Sequence, residues 1–207
     1  EGIRDITGED IREAHASGCE IKLLAIAQRR EDDHARGISV RVHPALVPAH
    51  HPLAAVHGAF NAVLVEAEAA GQLMFYGQGA GGAPTASAVL SDVVAAAAHR
   101  VHGGQAPRES IYRDLPILGP ESAITRHQVQ LKVADAPGSL AQVAGVFADN
   151  GVSIDSVRQS AYVGGSDAIV TIVTHPASVF HLDAAVASLA NQERVREVVS
   201  VRRVEGQ

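Results

Sequence analysis

Hydrophobic positions in the last third of the chain change their spacing in a regular order. Apolar residues that alternate with polar ones indicate a strand with one buried face, whereas a spacing of three or four residues indicates an amphipathic helix. The stretches run, in order, as alternating at 129–133, helical at 140–147, alternating at 152–157, strand-like at 168–173, helical at 179–189 and alternating at 195–201. This β-α-β-β-α-β order predicts a ferredoxin-like domain of the split βαβ type.

The first part of the chain predicts a mixture of helices and paired strands. Thr7 and Asp10 have the spacing of a capping box, so we expect a helix over residues 8–17 that ends at Gly18. Two hairpins follow in the pattern, the first from residues 21–27 and 38–43 and the second from residues 61–66 and 72–76.

Prolines divide the two predicted hairpins from each other. Pro44, Pro48 and Pro52 each lack the N–H that a central strand must donate. We therefore expect no continuous strand through residues 44–52.

A glycine-rich segment follows the second hairpin. The residues from Gly77 to Gly82 have the form G-x-G-x-x-G and precede a helix that Pro84 opens and that ends near His102. Exposed N–H groups at a helix start favour a phosphate or another anion. A dinucleotide fold also needs an acidic residue at the tip of a second strand, yet Asp92 falls within the predicted helix. The pattern alone leaves two interpretations open, a loop near a cofactor and a tight glycine turn.

Charge and composition argue against several classes of protein. The chain has 17 Lys+Arg against 23 Asp+Glu, a net charge of -6, and no basic stripe, whereas binding to nucleic acid needs clustered cations. No apolar run approaches the ~20 residues that span a bilayer, and no charged-then-apolar leader opens the chain. We expect a soluble, cytoplasmic protein with neither a nucleic-acid nor a membrane partner. Its single cysteine, Cys19, has no partner for an internal disulfide.

The eleven histidines raise the question of a metal site. His50, His51 and His57 lie closest together, but no Asp, Glu or Cys lies among them. A structural zinc site needs four donors at controlled spacing. We therefore expect no metal site and interpret these histidines as ordinary loop and cap residues.

A short loop joins the first strand and the first helix of the predicted ferredoxin-like domain. It runs from Asp135 to Leu140, and Gly138 would let the chain turn there without a clash of a β-carbon. The free N–H groups of the helix start could receive a carboxylate such as that of an amino acid. A plain strand-to-helix connection explains the same residues equally well.

Several strings in the first part of the chain occur together in one order. They are Gly2-Ile3-Arg4, Ile21 to Ala25, Val42 to Val47, His51 to Val56, Phe60 to Val63 and Tyr76 to Val89. Together they resemble the homoserine dehydrogenase family over residues 1–118, most specifically in the run from Gly79 to Val89. The pattern Asp135-x-Pro137-Gly138-x-Leu140, with Gly151 to Ile154, resembles an ACT domain, a small amino-acid-sensing module, over residues 127–207.

This resemblance implies an α+β protein with two domains. Residues 1–118 would be the C-terminal portion of a mixed-sheet catalytic and dimerisation domain, residues 119–126 a linker, and residues 127–207 a ferredoxin-like βαββαβ regulatory domain of the ACT type. The implied reaction is the NADP- or NAD-dependent interconversion of L-aspartate 4-semialdehyde and L-homoserine in threonine and methionine biosynthesis. The implied assembly is a homodimer or a homotetramer.

The resemblance also implies which residues act. Family members are much longer, and their catalytic Lys and Asp lie upstream of the position of Glu1, so we expect no catalytic residue in this chain and no activity from it alone. Gly79, Ala80 and Gly81 match the loop that the family brings near the nicotinamide end of the cofactor, which is bound mainly by upstream sequence. The residues implied for an effector, with L-threonine expected, are Asp135, Pro137, Gly138, Ser139, Leu140, Val152 and Ile154. The alternative is a stand-alone amino-acid-binding and oligomerisation module without catalysis.

Overall fold

The structure is a computed structural model that describes residues 2–32, 35–103, 114–161 and 167–206. Its elements in chain order are α1 (Gly8–Ala16), β1 (Cys19–Glu31), β2 (Arg36–Pro48), a 3-10 helix (Pro52–Ala55), β3 (Phe60–Ala67), β4 (Gly71–Gln78), α2 (Gly82–His102), β5 (Ile117–Leu118), a 3-10 helix (Pro120–Ser122), β6 (Ile124–Ala134), α3 (Ser139–Asp149), β7 (Ile154–Ala161), β8 (Asp167–Thr174), β9 (Ala177–Ser178), α4 (Val179–Ala190) and β10 (Val195–Val204). Contacts divide the chain into a sheet unit, Glu1–Ala49 with Leu115–Gln207, and a hairpin unit, His50–Asp114.

An eight-stranded mixed sheet organises the sheet unit. Its main path has the strand order β1-β2-β10-β6-β8-β7, and β5 pairs with β2 while β9 pairs with β6. The four strands β10, β6, β8 and β7 are antiparallel neighbours, and α3 and α4 are their connecting helices. This is the β-α-β-β-α-β arrangement that the hydrophobic spacing predicts, and the expected α+β fold class is confirmed.

The ferredoxin-like part has a continuous hydrophobic core. Val129, Leu131 and Val133 of β6 are almost completely buried, as are Phe147 of α3 and Leu189 of α4. Successive side chains of a strand point to opposite faces, so the alternation in β6 places these apolar residues on the face that the two helices cover. Local spacing in the sequence thus builds this core directly.

The expectation that the prolines interrupt the strand is wrong for Pro44. Strand β2 runs through Pro44, ends at Pro48 and pairs with β1 along its whole length. The N–H of Glu205 donates to the carbonyl oxygen of Leu46 at 3.0 Å, so Leu46 directs its polar backbone groups away from β1. Pro44 lies two residues before Leu46 and Pro48 two residues after it, so their backbone nitrogens face the same way as that of Leu46. The N–H groups that they lack would therefore have pointed away from the ladder with β1.

Strand β10 joins the first hairpin to the ferredoxin-like part. It pairs in parallel with residues 45–46 of β2 through residues 203–204. The segment expected to be a linker lies in the same unit, since β5 pairs with β2 and β6 begins at Ile124. The assignment of residues 1–118 and 127–207 to separate domains stays a prediction.

The hairpin unit contains the second predicted hairpin and the predicted long helix. Strands β3 and β4 pair in antiparallel register, and the rings of Phe60 and Tyr76 stack across them with centroids 4.8 Å apart. Helix α2 ends at Gly103, whose φ of 70° is the left-handed conformation common at helix ends. Among the described residues, none of the helices has the length and apolar character that a bilayer crossing requires.

Candidate functional sites

The glycine run connects β4 to α2 in the hairpin unit. Gly81 precedes the first turn of α2 with a φ of 129°, a conformation that L side chains rarely adopt. Among the described residues, no side chain caps this helix start. The N–H groups of Gly82 and Ala83 therefore remain for an outside acceptor.

The same run lines an open depression. Gly79 is anchored by its N–H, which donates to the carbonyl oxygen of Ala59 at 2.9 Å, and a β-carbon on Gly79 would lie 1.5 Å from Asn61 Nδ2. The lining residues are Gly79, Ala80, Gly81, Gly82, Thr85, Ala86, Val89 and Leu90. Small side chains beside an uncapped helix start are features that fit a nucleotide cofactor, so the residues present are compatible with the cofactor that the resemblance implies.

The predicted effector loop is a well-connected turn at the end of β6. The guanidinium of Arg194 donates to the carbonyl oxygen of Pro137, and Gln159 Nε2 donates to Asp135 Oδ1 at 3.3 Å. Gly138 has a φ of 88° and precedes the first turn of α3, where no side chain of the described residues caps the helix. The loop geometry explains the glycine, because a β-carbon is strained at this φ.

The other predicted effector residues have different environments. The hydroxyl of Ser139 is buried and has no hydrogen-bond partner among the described residues, whereas Leu140 is exposed. Val152 lies inside the hydrophobic core, and Ile154 packs against it. The structure thus brings Val152 to the core rather than to the surface of the loop, and the assignment of all seven residues to an effector stays a prediction.

A buried charged cluster, which the sequence reasoning missed, lies where β2 meets β10. Glu205 Oε1 accepts from Arg41 Nη2 at 3.1 Å and lies 3.5 Å from Nε2 of the buried His43. Burial opposes ionisation of Glu205, but the contact with His43 and the charge of Arg41 outweigh it and lower its pKa. Arg41 and Glu205 are 164 residues apart in the sequence, so no local spacing predicts their contact.

His127 of β6 is a buried neutral group beside this cluster. Burial and the nearby charge of Arg203 lower the pKa of His127 from 6.5 to about 4. Its Nε2 lies 3.4 Å from Thr125 Oγ1, and its backbone N–H donates to Thr174 Oγ1 at 3.1 Å. The imidazole is therefore uncharged near neutral pH.

A partly enclosed cavity of about 200 Å³ was also missed by the sequence reasoning. It lies between α1 and the face of the sheet opposite α3 and α4, and we call it the open-face cavity. Three side-chain contacts hold α1 over it, from Arg202 to Asp10, from Gln130 Nε2 to Glu13 Oε1 at 3.4 Å and from Arg158 Nη2 to Ser17 Oγ at 3.2 Å. From the sequence alone, the polar residues of β6 and β7 that line this cavity indicate only the exposed side of a sheet.

Of the clustered histidines, His51 has a role in local structure. His51 Nδ1 accepts from the N–H of Leu53 at 3.2 Å and so caps the first 3-10 helix. Within the described parts of the chain, no three His, Cys, Asp or Glu residues are grouped as metal ligands would be.

Comparison with known families accounts for both parts of the chain. Residues 1–94 match the family model described as homoserine dehydrogenase, and residues 127–193 match that of the ACT domain. The chain belongs to the homoserine dehydrogenase family. The resemblance that the sequence strings carried is thereby confirmed, as a C-terminal part of the family's catalytic region followed by an ACT domain.

Curated relatives named homoserine dehydrogenase match along the whole chain. One from Mycobacterium tuberculosis is 53% identical over 211 aligned positions, a match that covers 100% of this chain and 48% of the relative. Another, from Bacillus subtilis, is 39% identical over 209 aligned positions, a match that covers 99% of this chain and 47% of the relative. The chain thus spans about half the length of these relatives.

Solved structures show the same architecture. A homoserine dehydrogenase from Thiobacillus denitrificans matches with a TM-score of 0.84 and 36% identity, over 99% of this chain and 47% of that one. A Staphylococcus aureus homoserine dehydrogenase at pH 7.0 matches with a TM-score of 0.64 and 27% identity, over 100% of this chain and 47% of that one. The fold described above is therefore shared with experimentally determined members of the family.

Proposed function

We propose that this chain is the C-terminal half of a cytoplasmic homoserine dehydrogenase that interconverts L-aspartate 4-semialdehyde and L-homoserine with NADP or NAD. The observation that carries the proposal is the 53% identity to a relative of that name over the whole chain. The reaction would serve threonine and methionine biosynthesis. The catalytic Lys and Asp would belong to sequence upstream of Glu1.

In this function the glycine loop positions the cofactor. The cofactor supplies or accepts the hydride when it is bound. The N–H groups of Gly82 and Ala83 and the depression from Gly79 to Leu90 would hold the nicotinamide end in place. A larger residue at position 79 would displace the amide of Asn61 and add bulk to the depression.

The ACT domain provides regulation and the hairpin unit provides assembly. The loop from Asp135 to Leu140 would respond to L-threonine, with Gly138 giving the turn and the uncapped start of α3 offering its N–H groups to a ligand carboxylate. The exposed apolar side chains of β4 and α2 support a homodimer or a homotetramer, because such patches mark interaction surfaces.

The test is a pair of glycine variants in the full-length enzyme. Gly79→Ala places a β-carbon against Asn61, whereas a β-carbon at Gly77 meets nothing within 4 Å. Gly79→Ala should raise the KM for NADPH at least tenfold in the reduction of aspartate semialdehyde, and Gly77→Ala should leave it within about twofold, since only Gly79 lines the depression.

Two results would contradict the proposal. One is an equal, small effect of both glycine variants on the KM for NADPH, which would show that the loop does not bind the cofactor. The other is NADPH oxidation by the isolated 207-residue chain with aspartate semialdehyde, which would place the catalytic residues within it.

The alternative, an amino-acid-binding module without catalysis, is favoured by one observation. The ferredoxin-like part has a complete hydrophobic core within this chain, so it can act as an independent sensor. Lack of dehydrogenase activity in the full-length protein, together with saturable threonine binding by calorimetry, would select this alternative.

A further inference from the structure

The open-face cavity has the size of a small metabolite. Its volume is about 200 Å³, which is room for several water-sized groups. That suits a small amino acid and is too small for a dinucleotide.

The charges that line the cavity balance. Asp10 and Glu13 supply two carboxylates from α1, and Arg158 and Arg202 supply two guanidinium groups from β7 and β10. Burial opposes ionisation of Asp10, but hydrogen bonds from Thr7 and the charge of Arg202 lower its pKa, so it remains a carboxylate. A balanced lining favours a ligand that itself carries both charges over a simple anion or cation.

The two carboxylates and the two guanidinium groups differ in the partners that they contact. Arg202 contacts Asp10 directly, so these two satisfy each other. Within the described residues, Glu13 and Arg158 form no ion pair. Glu13 accepts from the neutral amide of Gln130 at 3.4 Å, and Arg158 donates to the neutral hydroxyl of Ser17 at 3.2 Å. One carboxylate and one guanidinium thus remain available to a ligand in the same cavity.

A buried amide oxygen points to a missing donor. Gln130 Oε1 is buried and has no hydrogen-bond partner among the described residues. A buried acceptor left unpaired costs about 1–3 kcal/mol. Nε2 of the same amide contacts Glu13, so a ligand ammonium or hydroxyl near Glu13 would satisfy the oxygen once the amide turns toward the cavity.

We propose that the open-face cavity binds a small zwitterionic amino acid, with its carboxylate on the guanidinium of Arg158 and its ammonium between Glu13 and Gln130 Oε1. This deepens the regulatory role proposed above and rests on it, but it places a site on the opposite face of the sheet from α3 and α4, apart from the loop at Gly138. The ligand would bridge α1 to β7. Because α1 lies in the part of the chain that matches the dehydrogenase family, binding of the ligand would affect the chain outside the ACT domain.

The test is calorimetric titration of the 207-residue chain with L-threonine and with L-threoninol, which lacks the carboxylate. L-threonine should bind, and threoninol should bind at least tenfold more weakly. Arg158→Gln and Glu13→Gln should each raise the Kd for threonine at least tenfold and lower the melting temperature by only about 1–4 °C, because each loses one exposed contact with a neutral group.

Matched controls lie on the same elements or in the same sheet. Glu9→Gln changes an exposed carboxylate of α1 outside the cavity, and Arg196→Gln changes an exposed arginine of β10 that pairs with Asp167. Both should leave the Kd within about twofold. Loss of binding in these controls as well would mean that net charge, not the cavity, governs affinity, and would overturn the proposal.

A loop variant separates this site from the loop effector site. If Gly138→Ala abolishes threonine binding while Arg158→Gln and Glu13→Gln leave it intact, the cavity proposal is wrong and the regulatory function stands. Absence of threonine binding to the folded chain overturns the cavity site. Dehydrogenase activity of the full-length enzyme, measured without threonine, tests the catalytic proposal independently of either result.

Discussion

The ferredoxin-like part and the hairpin unit both consist of strands and helices, but they bury very different amounts of side chain. In the former, α3 and α4 each place several residues in a shared core, including Phe147 and Leu189. In the latter, none of the described side chains of α2 is buried, and every residue of β4 is exposed. Secondary structure alone therefore does not show whether a region is stabilised by its own contacts.

The exposed residues of the hairpin unit are mostly apolar. Phe75 is 65% exposed and Val94 66%, and a two-stranded hairpin is only marginally stable by itself in water. This is the surface expected of a region that packs against something else. It agrees with the proposed role of residues 1–118 in assembly.

The largest difference should appear when one phenylalanine is truncated in each region. Phe147→Ala removes a fully buried ring from the core and should lower the free energy of unfolding by about 3–5 kcal/mol. Phe75→Ala removes an exposed ring and should change it by less than about 0.5 kcal/mol. Urea denaturation of the 207-residue chain measures both, and equal effects would refute the contrast between the regions.

Acid should lower the free energy of unfolding by less than Phe147→Ala does, through a group in the sheet unit. The pKa of His127 is 6.5 in the unfolded chain and about 4 in the folded one. Its contribution to the free energy of unfolding is therefore complete above pH 6.5 and is lost as the pH falls toward 4. The loss should reach about 2 kcal/mol at pH 5. It is measured as the difference between urea unfolding at pH 7.5 and at pH 5.

The variant His127→Asn provides the comparison for this titration. It should be less stable than the parent at pH 7.5 and should lose less stability between pH 7.5 and 5. A parallel decline in parent and variant would show that the acid sensitivity comes from other groups.

The smallest effects should come from two glycines of the ferredoxin-like part. Gly138 has a φ of 88°, so Gly138→Ala should destabilise the chain by about 1–2 kcal/mol. Gly145 lies within α3 with open space around it, and Gly145→Ala should stabilise the chain by about 0.5–1 kcal/mol. Melting temperatures of the two variants should move in opposite directions, and a shift of both in one direction would contradict the assigned backbone conformations.

Much of the fold could be predicted because its signals are local. The capping box at Thr7, the turn before β4 and the alternation through Val129 and Leu131 each depend on residues a few positions apart. The candidate glycine loop was found in the same way, since a motif and its flanking strand and helix are contiguous. Pro44 was misjudged because the rule for prolines depends on which neighbour the missing N–H would have faced.

The sequence by itself determined the order of helices and strands, the ferredoxin-like pattern and the family. Only the tertiary structure decided that β2 and β10 share a sheet, that Arg41 meets Glu205, and that α1 covers a polar cavity in which Arg158 contacts Ser17. The two contacts join residues 164 and 141 positions apart. Hydrophobic periodicity specifies which face of an element is buried, but the partner across such a distance depends on how the elements pack.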